Sequence, residues 1–90
     1  MEMIDFKEEY KLLIDKYGFD SQALLCIEEM SELTKALCKY KRYGDEHYIE
    51  NIKEELADVF NCVEQLSYHF GYDDIEKIRC EKMDRAMKKF

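Results

Sequence analysis

The chain has 90 residues, of which 47% are apolar and 39% are charged, and its formal net charge is −7. This length suits a single domain over residues 1–90, while the negative charge argues against a general surface for nucleic-acid polymers. No apolar run reaches membrane length and no signal-peptide pattern is present, and the four cysteines lack C-x-x-C spacing, so the composition predicts a cytoplasmic protein without membrane contact.

Four helices are predicted in chain order, because the sequence has no Pro and its three Gly residues separate long stretches that lack turn residues. The expected ranges are about 4–17, 20 or 21 to 42, 46–70, and 73 or 74 toward 90. Gly18 and Gly71 are expected to end the first and third helices. Asp20 or Ser21 is expected to cap the second.

The second and third helices are long, and only a few residues around Gly44 and Asp45 connect them. Such a connection predicts an antiparallel helical hairpin. The expected fold is all-α, with four helices around this central hairpin. Two long and two shorter helices form a thin core, so we expect the chain to assemble into a dimeric or tetrameric helical bundle, as a homodimer or homotetramer.

Each long predicted helix carries a pair of acids three residues apart, Glu29 with Glu32 and Glu55 with Asp58. Residues at this spacing are neighbours on a helix surface, so both members of a pair can face one point. Glu29 and Glu55 also interrupt the apolar faces that should pack together. Acids on a solvated face would instead point the other way.

The two pairs are matched in height on the predicted hairpin. Glu32 lies 12 residues before Gly44 and Glu55 lies 11 residues after it, while Glu29 and Asp58 lie 15 before and 14 after. Because each helical residue rises about 1.5 Å, Glu32 should face Glu55 and Glu29 should face Asp58. Four carboxylates are therefore expected to converge on one site.

Four carboxylates in a partly apolar groove repel one another unless some are protonated or a cation neutralises them. An all-oxygen set without His or Cys suits a hard cation, Mg²⁺ above all, with Mn²⁺ as a substitute. A di-iron bundle is not expected, because no Glu-x-x-His pair is present. The alternative is that these acids are solvated and pair with lysines such as Lys35.

These motifs resemble those of the MazG-like family of all-α nucleoside triphosphate pyrophosphohydrolases, which carry an E-x-x-E pair and a downstream E-x-x-D pair on adjacent helices. The run from Glu55 to Phe60 (ELADVF) is also similar, and the resemblance covers about residues 20–90. It implies an Mg²⁺-dependent enzyme that cleaves nucleoside triphosphates to monophosphates and pyrophosphate. The implied metal ligands and catalytic acids are Glu29, Glu32, Glu55 and Asp58, and which of them orients the attacking water stays open.

The resemblance also implies that cations of the last helix bind the substrate's phosphates. Lys82 and Arg85 match this pattern within Lys82-Met83-Asp84-Arg85, although the family often has Asn at the position of Asp84. Lys77 is a further candidate. The alternative is that these cations interact with solvent and the helix C-terminus.

Two other functions stay open at this point. One is a related enzyme with a dedicated substrate such as dUTP, dCTP or phosphoribosyl-ATP, in place of a broader role in cleansing the nucleotide pool. The other is a non-catalytic acidic helical bundle that binds a partner protein, for which Mg²⁺ would be irrelevant.

Overall fold

The computed structural model describes residues 5–90, which form four α-helices and no strand. The helices are α1 (Lys7–Tyr17), α2 (Phe19–Tyr43), α3 (His47–Phe70) and α4 (Tyr72–Met87). The all-helical class and the number of helices are therefore as predicted. The expected start of the first helix at Ile4 lies outside the described residues.

The helix ends differ from the predicted ones by a few residues. Helix α2 begins at Phe19, directly after Gly18, and neither Asp20 nor Ser21 acts as its N-cap. Gly18 has a φ of 88° and its N–H donates to the Ile14 carbonyl, so one glycine both ends α1 and precedes α2. Glycine adopts a positive φ without steric cost, so α2 can follow α1 directly after Gly18. The predicted cap residues therefore lie inside α2 and do not precede it.

Helix α4 begins one or two residues before its predicted start and ends before the predicted Phe90. Asp73 and Asp74 lie in the first turn of α4, where acids favour the helix N-terminus, while Gly71 is the residue before it. The helix ends at Met87 rather than at Phe90. The last residues form a single turn instead of continuing the helix.

Helices α2 and α3 are joined by three residues, 44–46, and make the most extensive helix–helix contact of the fold. Gly44 takes the left-handed conformation at φ 63° and donates to the Tyr40 carbonyl, which ends α2. Across the two helices, Gln22 pairs with Gln65 and Cys26 faces Cys62. These pairs align the first half of α2 with the second half of α3.

A buried amide pair joins α1 to this helical pair. The Gln65 Nε2 donates to the Gln22 Oε1 at 3.2 Å and to the Tyr10 carbonyl at 3.3 Å. Gln22 and Gln65 are only 7% and 4% exposed. The Tyr10 hydroxyl donates in turn to Glu64 at 3.0 Å. Side chains from three helices thus share one hydrogen-bond network.

Replacing Gln65 by Leu should destabilise the protein by about 1–3 kcal/mol, because the buried Gln22 Oε1 and Tyr10 carbonyl would lose their shared donor. Urea unfolding at one fixed protein concentration measures the effect. Asn51→Leu, at an exposed position of α3, is the matched control and should change the free energy of unfolding by less than about 0.5 kcal/mol. Equal costs for the two variants would contradict a structural role for the amide pair.

The core of the described residues is thin. Its buried apolar side chains are Tyr10, Cys26, Ala36 and Cys62, and α4 buries none of its residues. The radius of gyration is 15.7 Å, against about 12 Å for a typical folded domain of this length. Within residues 5–90 no helix has the length and apolar character needed to cross a bilayer.

Candidate functional site

Three of the four predicted acids meet between α2 and α3. Glu29 comes from α2, and Glu55 and Asp58 come from α3. One carboxylate oxygen of each lies within 4.8 Å of the others. These three residues are called the acid cluster below. The cluster forms because Glu29 points across to α3, while a spacing of three residues keeps both α3 acids on its α2-facing side.

Glu32 does not belong to this close group. Its side chain is exposed on α2, one turn beyond Glu29, but its charge still contributes to raising the pKa of Glu29. Glu32 therefore lies at the edge of the cluster, outside the three acids whose oxygens are within 4.8 Å of one another.

The carboxylates of the acid cluster are partly withdrawn from water. Glu29 and Glu55 are half-buried, whereas Asp58 is exposed. Burial raises the pKa of Glu29 above its ordinary value of 4.5, and the neighbouring carboxylate of Asp58 raises this pKa further. Both causes act against the charged form, so the ionised cluster destabilises the fold unless a cation accompanies it.

One carboxylate oxygen of the cluster has no hydrogen-bond partner in the described part of the chain. The Glu55 Oε2 is buried and makes no hydrogen bond within the described residues. The ion pairs found in that part of the chain are Lys53–Glu50 and Arg79–Glu76, so Lys35 does not neutralise the acids as the solvated alternative requires. A buried, unpaired carboxylate oxygen is costly, and a bound cation would satisfy it.

The donor set of the cluster fits a hard divalent cation. All the available ligand atoms are carboxylate oxygens, which Mg²⁺ and Mn²⁺ prefer over nitrogen or sulfur. Three acids carry more negative charge than one divalent ion removes.

In metal-free buffer, stability should fall as the pH rises. The folded protein holds the Glu29 proton more tightly than the unfolded chain, since the folded pKa is the higher one. The stabilising contribution is therefore complete below the ordinary carboxyl pKa and is lost as the pH rises through the raised value. We expect a higher Tm in EDTA at pH 5 than at pH 7.5.

Two conservative variants separate this effect from the general acidity of the chain. Glu29→Gln should reduce the difference in Tm between the two pH values, because it removes the titrating group. Glu28→Gln makes the same substitution at the exposed neighbouring residue. This variant should keep most of the difference in Tm between the two pH values. Equal pH dependence in both variants would show that Glu29 is not the group responsible.

A cavity of about 170 Å³ opens beside the acid cluster and shares Glu29 and Asp58 with it. Its other polar lining residues are Tyr10, Gln22, Asn61 and Gln65. The sequence reasoning missed these residues. Asn61 lies three residues after Asp58 and Gln22 lies seven before Glu29, which are helical spacings, so periodicity could have placed them on the acidic faces.

The predicted phosphate-binding cations are not brought to the acid cluster within one chain. Lys77, Lys82 and Arg85 are exposed on α4, and α4 packs on α3 alone among the helices. Phe60 and Val63 line the cleft between them.

This cleft lies on the far side of α3. At about 100° per residue, Phe60 and Val63 lie roughly 140° around α3 from the mean direction of Glu55 and Asp58. The first half of α4 therefore packs on the side of α3 that faces away from the acids.

The thiols of Cys26 and Cys62 lie next to the cluster. Cys26 is one helical turn from Glu29 on α2, and Cys62 is one turn from Asp58 on α3. Both are buried, and burial raises the pKa of the Cys26 thiol to about 12, with its neighbour Cys62 adding to the shift. The other two cysteines, Cys38 and Cys80, are exposed. Cys26 and Cys62 are therefore small apolar packing residues between α2 and α3.

The chain was compared with protein-family models, curated proteins and solved structures, and none of them matches it. The acid cluster and the cavity beside it are therefore the features of the molecule that point to a function.

Proposed function

We propose that the protein is a cytoplasmic, Mg²⁺-dependent nucleoside triphosphate pyrophosphohydrolase of the MazG-like kind. It would cleave NTP or dNTP between the α and β phosphates, giving the nucleoside monophosphate and pyrophosphate. The observation that carries the proposal is the buried, unpartnered Glu55 Oε2 within a group of three carboxylates whose oxygens lie within 4.8 Å of one another. Solvated surface acids do not leave such an oxygen without a donor.

In this proposal Glu29, Glu55 and Asp58 hold the cation, with Glu32 close enough to complete the set from the edge. When bound, Mg²⁺ neutralises charge on the phosphoryl oxygens and makes a coordinated water more acidic. The exposed acids, Asp58 and Glu32, are free to accept a hydrogen bond from the attacking water. The half-buried acids keep their orientation because their helices pack around them.

We further propose that α2 and α3 form a central antiparallel hairpin within an oligomer. The pairing of Gln22 with Gln65 and of Glu29 with Asp58 supports the hairpin, because the residue number falls along α3 as it rises along α2. Such an arrangement holds the two acid pairs at one height, as the site requires.

The exposed surface supports the oligomer. The chain exposes 7788 Å², about 2,000 Å² more than a folded monomer of its mass. Two copies that buried this excess would form an interface of about 4,000 Å² in total, within the range of obligate dimers. Among the large apolar side chains available to it are Met30, Leu37, Leu56, Val63 and Phe70.

The oligomer also bears on the basic residues of α4. Because the first half of α4 packs on the side of α3 that faces away from the acids, a phosphate-binding role for Lys82 and Arg85 belongs to an assembly in which α4 of one copy reaches the cluster of another. The same condition applies to Lys77. The metal-binding part of the proposal does not depend on these cations.

Pyrophosphate release from a panel of nucleoside triphosphates, with Mg²⁺ and with EDTA, tests the proposed activity. We expect release that requires the metal, and Mn²⁺ should replace Mg²⁺. A folded protein that releases no pyrophosphate from any nucleotide would overturn the proposal. The exposed apolar side chains would then favour the other candidate, a non-catalytic acidic bundle that binds a partner protein.

A further inference from the structure

One lysine of α2 lies in line with the acid cluster and with the cavity beside it. Leu25, Glu32 and Lys39 follow one another at intervals of seven residues along α2, and each interval turns the side chain by only about 20° around the helix axis. Leu25 lines the cavity, and Glu32 lies at the edge of the cluster, where its charge acts on Glu29. Lys39 is therefore on the side of α2 along which the candidate site opens.

Lys39 is also within reach of a phosphate chain held at the acid cluster. Its Cα lies two helical turns from that of Glu32, at a rise of about 10 Å. Side chains of an α-helix tilt toward its N-terminus, so the flexible four-carbon stem of Lys39 starts out toward the acids and away from the connection at 44–46. A triphosphate bound at the cluster can extend over the distance that the lysine stem leaves.

The other cations at this end of α2 point in different directions. Around the helix axis, Lys35 lies about 60° from Glu32. The corresponding angles are about 80° for Arg42 and about 180° for Lys41. Lys41 and Arg42 belong to the last turn of α2, where the helix dipole favours a cation. Lys39 precedes that turn, so the dipole accounts for it less well.

The positive charge of Lys39 has no ion-pair partner in the described part of the chain. The ion pairs found there involve Lys53 and Arg79. Positions 35, 36, 42 and 43, which neighbour Lys39 on the helix surface, carry no acid. One of them is Lys35, and like charges four residues apart destabilise a helix. A bound anion would relieve this repulsion.

We propose that Lys39, aligned with Glu32 and without an acidic partner, binds the terminal phosphates of the substrate. The triphosphate then lies along α2, with its pyrophosphate end toward the connection at 44–46 and its nucleoside end toward the cavity. This inference rests on the proposed function, because the acid cluster holds the cation that binds the same phosphates. It assigns a phosphate-binding cation to the chain that carries the acids, whereas the predicted cations of α4 depend on an assembly.

Two matched variants test this role in the enzyme. Lys39→Gln should lower kcat/KM for pyrophosphate release by about 10–100-fold, which is the loss expected for one hydrogen bond to a charged group. Lys41→Gln removes the same charge from the opposite side of α2 and should behave like the wild type. Both positions are exposed, so neither variant should lose the fold. Equal losses in the two variants, or no loss in Lys39→Gln, would overturn the proposal.

A second measurement needs no turnover. Titration calorimetry with inorganic pyrophosphate, in Mg²⁺ and at constant ionic strength, gives the Kd of the wild type and of both variants. Lys39→Gln should raise this Kd at least about tenfold, whereas Lys41→Gln should leave it nearly unchanged. The same Kd in all three proteins, or no binding of pyrophosphate by the wild type, would overturn the proposal.

The two measurements also separate this inference from the proposed function. Pyrophosphate binding that depends on Lys39, in a protein that releases no pyrophosphate from any nucleotide, would retain the phosphate site and reject the enzyme. Metal-dependent pyrophosphate release that Lys39→Gln leaves unchanged would retain the enzyme and reject the role of Lys39.

Discussion

Replacing Glu55 by Gln is expected to lower kcat/KM for pyrophosphate release by at least about 10³-fold while leaving the fold intact. Loss of a metal ligand removes several kcal/mol of charge stabilisation from the phosphoryl oxygens, which corresponds to a rate factor of about this size. The metal-free variant should also be more stable than the wild type, because a neutral amide replaces a carboxylate whose Oε2 is buried without a donor. Steady-state kinetics and thermal unfolding in EDTA measure the two effects.

The neighbouring residue provides the control for this experiment. Glu54→Gln makes the same chemical change at an exposed position one residue away, so it should keep activity and leave stability almost unchanged. Wild-type turnover by Glu55→Gln would exclude this carboxylate from the site. Loss of activity in both variants would indicate that the total negative charge of α3 determines activity and that the Glu55 carboxylate has no special role.

Adding Mg²⁺ is expected to raise the Tm of the wild-type protein by about 6–11 °C once its concentration reaches about ten times the Kd. A ligand at that concentration stabilises the folded state by about 1.4 kcal/mol, and each kcal/mol shifts the Tm of a domain this small by about 4–8 °C. The physical reason is relief of repulsion among three carboxylates within 4.8 Å of one another. Thermal unfolding with a titration of MgCl₂ measures the shift.

General screening of the net charge of −7 would also stabilise the chain to some degree, so the comparison is made at constant ionic strength with NaCl. The double variant Glu29→Gln/Glu55→Gln should lose the response to Mg²⁺. The double variant Glu28→Gln/Glu54→Gln removes the same charge outside the acid cluster and should keep it. Equal shifts in the two double variants would contradict an organised metal site.

The four helices and the approach of Glu29 to Asp58 can be predicted from local features of the sequence. Three glycines mark every junction between helices, and the short connection after α2 fixes which residues of α3 come to the same height. These features depend on helical geometry and on turn residues alone. They can therefore be predicted without knowledge of the tertiary structure.

The structure differs from the sequence-based predictions where tertiary packing determines the position of a side chain or a helix. Glu32 was expected to face Glu55, but its side chain is exposed and lies outside the close group of three acids. The direction of α4 depends on the geometry at Gly71, which composition does not specify. The orientation of the buried Gln22–Gln65 amide pair is set only when α1 places the Tyr10 carbonyl against Gln65, so no periodicity within one helix could predict it.

The two buried thiols next to the acid cluster have a consequence for metal selectivity. Zinc and cadmium bind sulfur as the thiolate, and they would gain the thiols of Cys26 and Cys62 as ligands only by displacing protons. Burial raises the pKa of the Cys26 thiol to about 12, so removing its proton costs more than at an exposed cysteine. In the proposed metal site, the packing that fills the thin core would thus disfavour thiophilic metals relative to ions that bind carboxylate oxygens.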